Sequence, residues 1–86
     1  MTEAEIRQTI LDALAEVAPG SDPDTLGRDD DLRDELDLDS MDFLNFVIAL
    51  HERLGVDIPE VDYQRLRTIE DAVAYLEQRR TSAAAR

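Results

Sequence analysis

The chain has 86 residues, with 21 acidic against nine basic side chains, a formal net charge of −12 and no cysteine. A chain of this length forms one domain, and without cysteine it has no disulfide framework, thiolate metal site or cysteine nucleophile. The charge disfavours nucleic acids and anionic membranes and favours partners with basic surfaces. No apolar stretch is long enough to span a membrane, and the acidic start is unlike a signal peptide. We therefore expect a cytoplasmic monomer that does not insert into membranes.

The first predicted element is an amphipathic helix over about residues 3–18. Its inner face is an apolar stripe at three- or four-residue spacing, formed by Ile6, Ile10, Leu14 and Val17. This spacing is typical of one face of an α-helix. The pair Pro19-Gly20 ends the pattern.

The segment from residue 21 to residue 39 has no periodic pattern, and Pro23 and Gly27 break regular structure. Isolated leucines stand in this charged segment: Leu26, Leu32, Leu36 and Leu38. We predict a long loop pinned to the core by these leucines, and a loop of this length in a small domain is usually functional. Residues 22–42 also hold ten carboxylates against only Arg28 and Arg33, which predicts a strongly negative surface.

A second long helix is predicted over Ser40–Leu54, ending at Gly55. Residues 61–66 can form one short helix. The last helix is predicted to begin at Thr68, with an inner face formed by Ile69, Ala72, Val73 and Leu76. Residues 80–86 have no apolar face to bury, so we predict a folded domain over residues 1–79 and a disordered tail over residues 80–86.

The helix over Ser40–Leu54 is apolar on two sides at about 100° per residue. One side is a complete core-facing stripe formed by Phe43, Phe46, Val47, Leu50 and Leu54. The other, called here the outer strip, is formed by Met41, Leu44 and Ile48 and rimmed by Asn45, His51 and Glu52. Because so small a domain cannot bury both sides, we favour a partner on the outer strip.

Ser40 stands where the acidic segment turns into this helix. With Asp39 as N-cap, Asp42 occupies the third helical position and completes a capping box, whereas Ser40 as N-cap would put Phe43 there. We therefore predict that Asp39 caps the helix and that the Ser40 hydroxyl is free. A phosphate on that hydroxyl would lie at the positive end of the helix dipole.

Three motifs follow one another at fixed spacing: Asp39-Ser40-Met41-Asp42 before the apolar helix, Leu54-Gly55-Val56-Asp57-Ile58-Pro59, and Thr68-Ile69-Glu70-Asp71-Ala72-Val73-Ala74-Tyr75-Leu76. Together they resemble the acyl carrier protein family over nearly the whole chain. The resemblance implies an all-α fold, a right-handed four-helix bundle with a long first loop and a short third helix.

The resemblance also implies that Ser40 receives 4′-phosphopantetheine from coenzyme A, added by a separate magnesium-dependent phosphopantetheinyl transferase. It assigns residues beside the arm, Asp39, Met41 and Asp42, and residues that contact partners, Leu44, Asn45, Ile48 and Glu52. The chain would then hold acyl groups as thioesters on the arm and catalyse no reaction itself. Its partners would be the transferase and acyl-loading and acyl-transferring enzymes with basic surfaces.

The chain departs from this family at two places. Typical fatty-acid carriers resemble Gly-Ala-Asp-Ser before the helix, where this chain has Asp37-Leu38-Asp39-Ser40, and they tend to carry carboxylates where it has Asn45, His51 and Arg53. Glu52 is the only acidic residue of the helix after its first turn. These departures favour a specialised carrier for fatty-acid or lipid biosynthesis.

Two alternatives stay open. One is an aminoacyl, peptidyl or polyketide carrier of secondary metabolism, which would use the same serine and arm. The other is a helical protein-interaction module. We expect no metal site, because the calcium-loop-like start at Asp22 has Leu26 at its fifth position and Arg33 at its twelfth. We interpret His51 as a solvated or packing side chain rather than a catalytic one.

Overall fold

The computed structural model describes residues 2–20 and 22–84, without the side chains of residue 24 and residues 80–84. In chain order the helices are α1 (Glu3–Val17), a 3₁₀-helix η1 (Pro23–Thr25), α2 (Leu32–Glu35), α3 (Ser40–Leu54), a 3₁₀-helix η2 (Glu60–Leu66) and α4 (Ile69–Ala84). The described residues contain no strand, so the all-α prediction is confirmed. The four helices predicted from the sequence are α1, α3, η2 and α4, with η2 as the short third one.

The core lies where α1 packs against both α3 and α4, and η2 closes it by packing on α4. Its largest fully buried side chains are Phe46, Ile6, Ile10, Leu14, Leu32, Leu50, Leu66 and Leu76. The stripe predicted on the inner face of α3 is buried along its whole length, from Phe43 to Leu54. The helical period therefore identified the core face of α3 correctly.

The long segment before α3 is pinned by leucines, as predicted. Leu32 and Leu38 are buried, and Leu26 and Leu36 pack half-buried against the core. The segment also contains η1 and α2, which the sequence pattern did not predict. Elements of three or four residues are too short to show an apolar period, so no pattern was available to reveal them.

The same segment is fastened to the junction between η2 and α4. The Leu32 N–H donates to the Arg67 carbonyl at 2.7 Å, and the Glu70 N–H donates to the Arg28 carbonyl at 3.1 Å. The Arg67 guanidinium also forms an ion pair with the Asp31 carboxylate. These contacts join residues far apart in the sequence and hold the approach to α3 in one position.

Tyr75 fastens α4 to η2. Its side chain is buried, and its hydroxyl donates to the Asp62 carboxylate at 2.7 Å. Burial, together with this hydrogen bond to a carboxylate, raises the pKa of Tyr75 to about 12. The phenol therefore stays protonated and serves as a fixed donor within the bundle.

The backbone of α4 is helical to Ala84. The predicted disordered tail falls on residues 80–84, whose side chains lie outside the described part, and on residues 85 and 86, which lie outside it altogether. The domain limits of 1–79 and 80–86 stay a prediction. Within the described residues, none of the helices is long and apolar enough to cross a bilayer.

Candidate functional site

The site is built around the first turn of α3. The Asp39 carboxylate accepts the Asp42 N–H at 2.8 Å, and the Asp42 carboxylate accepts the Asp39 N–H at 3.5 Å. This is the capping box predicted from the sequence. Two backbone donors that a helix start leaves unsatisfied are thereby bonded without any contribution from the neighbouring serine.

Ser40 is the first residue of α3, and its side chain is exposed. Its hydroxyl makes no hydrogen bond within the described part of the chain. The side chain is therefore available to another molecule, at the positive end of a helix of 15 residues. A phosphate held there would be stabilised by the helix dipole.

The chain enters this site through a left-handed residue that ends α2. Asp37 has a φ of 54°, and the following Leu38 N–H donates to the Arg33 carbonyl at 2.9 Å. This is the long hydrogen bond of a Schellman helix end, with Asp37 at the position that glycine favours. Aspartate tolerates this conformation better than most residues. A glycine at this position would meet the same backbone requirement.

The outer strip of α3 is exposed as a continuous apolar surface. Met41 is 63% exposed, Leu44 37% and Ile48 44%. Asn45 and Glu52, at the rim of the strip, are exposed as well. The strip begins immediately after Ser40, so a protein that contacts it would also reach the serine hydroxyl.

Asn45, His51 and Arg53 stand on α3 where fatty-acid carriers tend to carry carboxylates. Two of the three have partners within the chain. The Arg53 guanidinium lies 2.9 Å from the Glu16 carboxylate on α1, and this hydrogen-bonded pair raises the pKa of Arg53. The His51 Nδ1 lies 3.0 Å from the Val56 carbonyl oxygen, at the end of the helix. These two side chains connect α3 to its surroundings, whereas Asn45 projects into solvent.

A groove of about 520 Å³ opens beside the serine, between the start of α3 and η2. We call it the serine groove, and its lining residues are Arg33, Ser40, Phe43, Leu44, Glu60, Tyr63, Gln64 and Arg67. Sequence reasoning missed this groove, because its walls come from segments some 20 residues apart. The sequence assigned Tyr63 no role, and in the structure it lines the same groove as Ser40.

The acidic surface around the site is crowded. Burial disfavours the charged form of Asp31, but the Asp34 N–H and the Arg67 guanidinium outweigh it and lower the pKa of that carboxyl. A hydrogen bond and like charge from Asp29 raise the pKa of Glu70. The ten carboxylates of residues 22–42 outnumber the two arginines there and give the approach to α3 a negative charge.

Among the side chains that the structure describes, no group of three or more histidine, aspartate or glutamate residues could hold a metal ion. The Asp31 and Asp39 carboxylates instead accept backbone N–H groups at the starts of α2 and α3, and Asp31 also pairs with Arg67.

Comparison with known proteins agrees with this geometry. Residues 6–76 match the family described as a phosphopantetheine attachment site. The chain is 39% identical over 74 residues to an acyl carrier protein of Kineococcus radiotolerans, covering 83% of this chain and 91% of the relative. It is 37% identical over 76 residues to an acyl carrier protein of Lactobacillus johnsonii, covering 88% and 94%.

A further relative is the meromycolate extension acyl carrier protein of Mycobacterium bovis, 32% identical over 78 residues, which cover 91% of this chain and 67% of that protein. Family members interact with phosphopantetheinyl transferases and with acyl-handling enzymes. The family match covers most of the chain, and the first two relatives are covered over 91% and 94% of their length, so the chain belongs to the acyl carrier protein family, whose cofactor is 4′-phosphopantetheine.

Proposed function

We propose that Ser40 carries the 4′-phosphopantetheine arm. The observation that supports this most directly is the free, exposed hydroxyl in the first turn of α3, beside a cap supplied by Asp39. In the transfer, the serine oxygen bonds to the phosphorus of coenzyme A that bears pantetheine, adenosine 3′,5′-bisphosphate leaves, and the hydroxyl proton is released. The phosphodiester then lies at the positive end of the helix.

The arm supplies what this chain lacks. A thioester needs a thiol, and the chain contains no cysteine. The thiol at the end of the arm provides one, so the protein presents a tethered acyl group to successive enzymes at high effective concentration. We propose that it does so in the cytoplasm. It catalyses no reaction itself and works as a monomer.

The attachment can be tested by intact mass after incubation with coenzyme A and a phosphopantetheinyl transferase. We expect the wild-type protein to gain the mass of one arm and Ser40→Ala to gain none. The chain has two other serines, Ser21 and Ser82, and their alanine variants are matched controls that should still be loaded. An arm on Ser40→Ala would contradict the assignment.

We further propose that the outer strip, with Asn45 and Glu52 at its rim, contacts the transferase and the acyl-handling enzymes. Its three apolar side chains are exposed, and nine of the ten carboxylates of residues 22–42 precede it in the chain. Such a distribution speeds the approach of enzymes with basic surfaces, while apolar contact determines how long they stay bound.

The carried group belongs to a specialised fatty-acid or lipid pathway in our proposal. The solvent-exposed Asn45 supports this, because it stands where a general fatty-acid carrier would present a carboxylate. The alternative, a carrier of aminoacyl, peptidyl or polyketide units, is favoured by the charged and amide side chains that line the serine groove. Loading assays with acyl and aminoacyl donors would separate the two.

A further inference from the structure

Two aromatic rings that contact each other line the serine groove. The ring centroids of Phe43 on α3 and Tyr63 on η2 lie 6.3 Å apart at an interplanar angle of 66°, an edge-on contact. Phe43 also packs against Phe46 at 6.0 Å, and Phe46 is fully buried in the core. Both contacting rings line the groove, so an aromatic pair forms one wall of the space beside Ser40.

The guanidinium group of Arg33, on α2, lies over the Phe43 ring. The Arg33 Cζ lies 5.6 Å from the centroid of the Phe43 ring, within the range of a cation–π contact. Arg33 is exposed, and it forms no ion pair with the side chains that the structure describes. The contact therefore adds a second layer over the ring and opposes its displacement.

Apart from Leu44, the other side chains that line the groove are polar. Glu60 and Gln64 come from η2, and Arg67 follows it with its charge paired to Asp31. These side chains offer hydrogen bonds to a polar group but little apolar surface to a long alkyl chain.

We infer that the Phe43–Tyr63 contact keeps the carried group in the serine groove and out of the helix bundle, so that this chain carries short acyl units. The inference rests on the proposed arm at Ser40, because the carried group reaches the groove from that residue. A long alkyl chain could enter the bundle only if the rings separated and the close-packed core opened. A short unit in the groove requires neither change.

The length of the carried chain provides the test. The protein would be loaded from acetyl-, butyryl- and octanoyl-coenzyme A by a transferase, each product confirmed by mass, and its Tm measured. A chain buried in the core should raise the Tm by roughly 3 °C or more for each added methylene. We expect instead that the octanoyl and butyryl forms differ by no more than about 2 °C.

Variants of Tyr63 test the wall itself. Tyr63→Ala should open a path to the core, so that its octanoyl form becomes several degrees more stable than its butyryl form. Tyr63→Phe keeps the ring and serves as the matched control, which should behave as the wild type does. If the octanoyl form of Tyr63→Ala gains nothing over its butyryl form, the ring is not the barrier and the inference fails.

A measurement on the wild-type protein tests the inference even if a Tyr63 variant does not fold. Hydroxylamine should cleave the butyryl and octanoyl thioesters at similar rates if both are outside the bundle. Cleavage of the octanoyl form slower by about tenfold or more, or a Tm that rises steadily with chain length, would overturn the inference. Failure of Ser40 to gain any arm is a different result, which would count against the proposed attachment instead.

Discussion

The two apolar faces of α3 have opposite environments. The inner face, from Phe43 to Leu54, is buried against α1 and the rest of the core. On the outer strip, Met41 is 63% exposed, although its composition is similarly apolar. Apolar side chains therefore do not by themselves determine which face of a helix is buried in a domain of 86 residues.

This difference separates the residues that maintain the fold from those available to a partner. A substitution on the inner face removes contacts that the folded state needs. A substitution on the outer strip removes surface that the isolated protein leaves in water, so its effect should be on binding.

The largest expected effect is on the inner face. Phe46→Ala should lower the free energy of unfolding by about 3–5 kcal/mol, because it removes a fully buried ring and leaves a cavity. Leu44→Ala, two residues earlier on the outer strip, should lower it by less than about 1 kcal/mol. Urea denaturation of both variants measures the difference.

A second inner-face variant protects this comparison if Phe46→Ala is unfolded without urea. Phe46→Leu keeps most of the apolar volume and should show a smaller loss in the same direction. Equal losses for the Phe46 and Leu44 variants would mean that the two faces contribute alike to stability, contrary to their burial.

A smaller effect is expected for binding at the outer strip. Leu44→Ala should weaken the complex with the transferase by about 5- to 30-fold, because an apolar anchor is lost at the centre of the proposed contact. Raising the salt concentration should weaken the wild-type complex as well, by screening the ten carboxylates of residues 22–42. Titration calorimetry at two salt concentrations would measure both effects.

The control for this prediction is an exposed apolar residue away from the strip. Val61 is 86% exposed on η2, and Val61→Ala should change the affinity less than Leu44→Ala does. An affinity that neither Leu44→Ala nor added salt alters would exclude the outer strip as the contact surface.

The smallest expected effect concerns the charge at the rim of the strip. Asn45→Glu should improve binding to a housekeeping condensing enzyme by up to about fivefold, because one exposed ion pair contributes roughly 0–1 kcal/mol. Asn45→Gln changes length without charge and is the control. Arg53 is left unchanged, because replacing it would break its ion pair with Glu16. A change in binding could then reflect a loss of stability.

One result would contradict the prediction for Asn45→Glu. If the wild-type chain already serves the housekeeping enzyme as well as Asn45→Glu does, charge at this position does not set the choice of pathway. The chain would then remain an acyl carrier without specialisation through this face of α3.

Much of the candidate site could be predicted from local sequence. The bounds of α3, its capping box and its left-handed Gly55 end all agree with the pattern of neighbouring residues. These features depend on contacts within one or two helical turns, so the sequence contains all the information they need. The inner and outer faces followed from the helical period in the same way.

The sequence by itself thus determined where α3 begins, which of its faces is buried, and that Ser40 stands free beside its cap. Only the tertiary structure decided the fastening of the segment before α3 at Arg67 and the contact of Phe43 with Tyr63. The physical reason is the distance along the chain between the residues that come into contact. The helix starts from hydrogen bonds between neighbours, whereas the groove requires two segments, separated in sequence, that meet only when the core has packed.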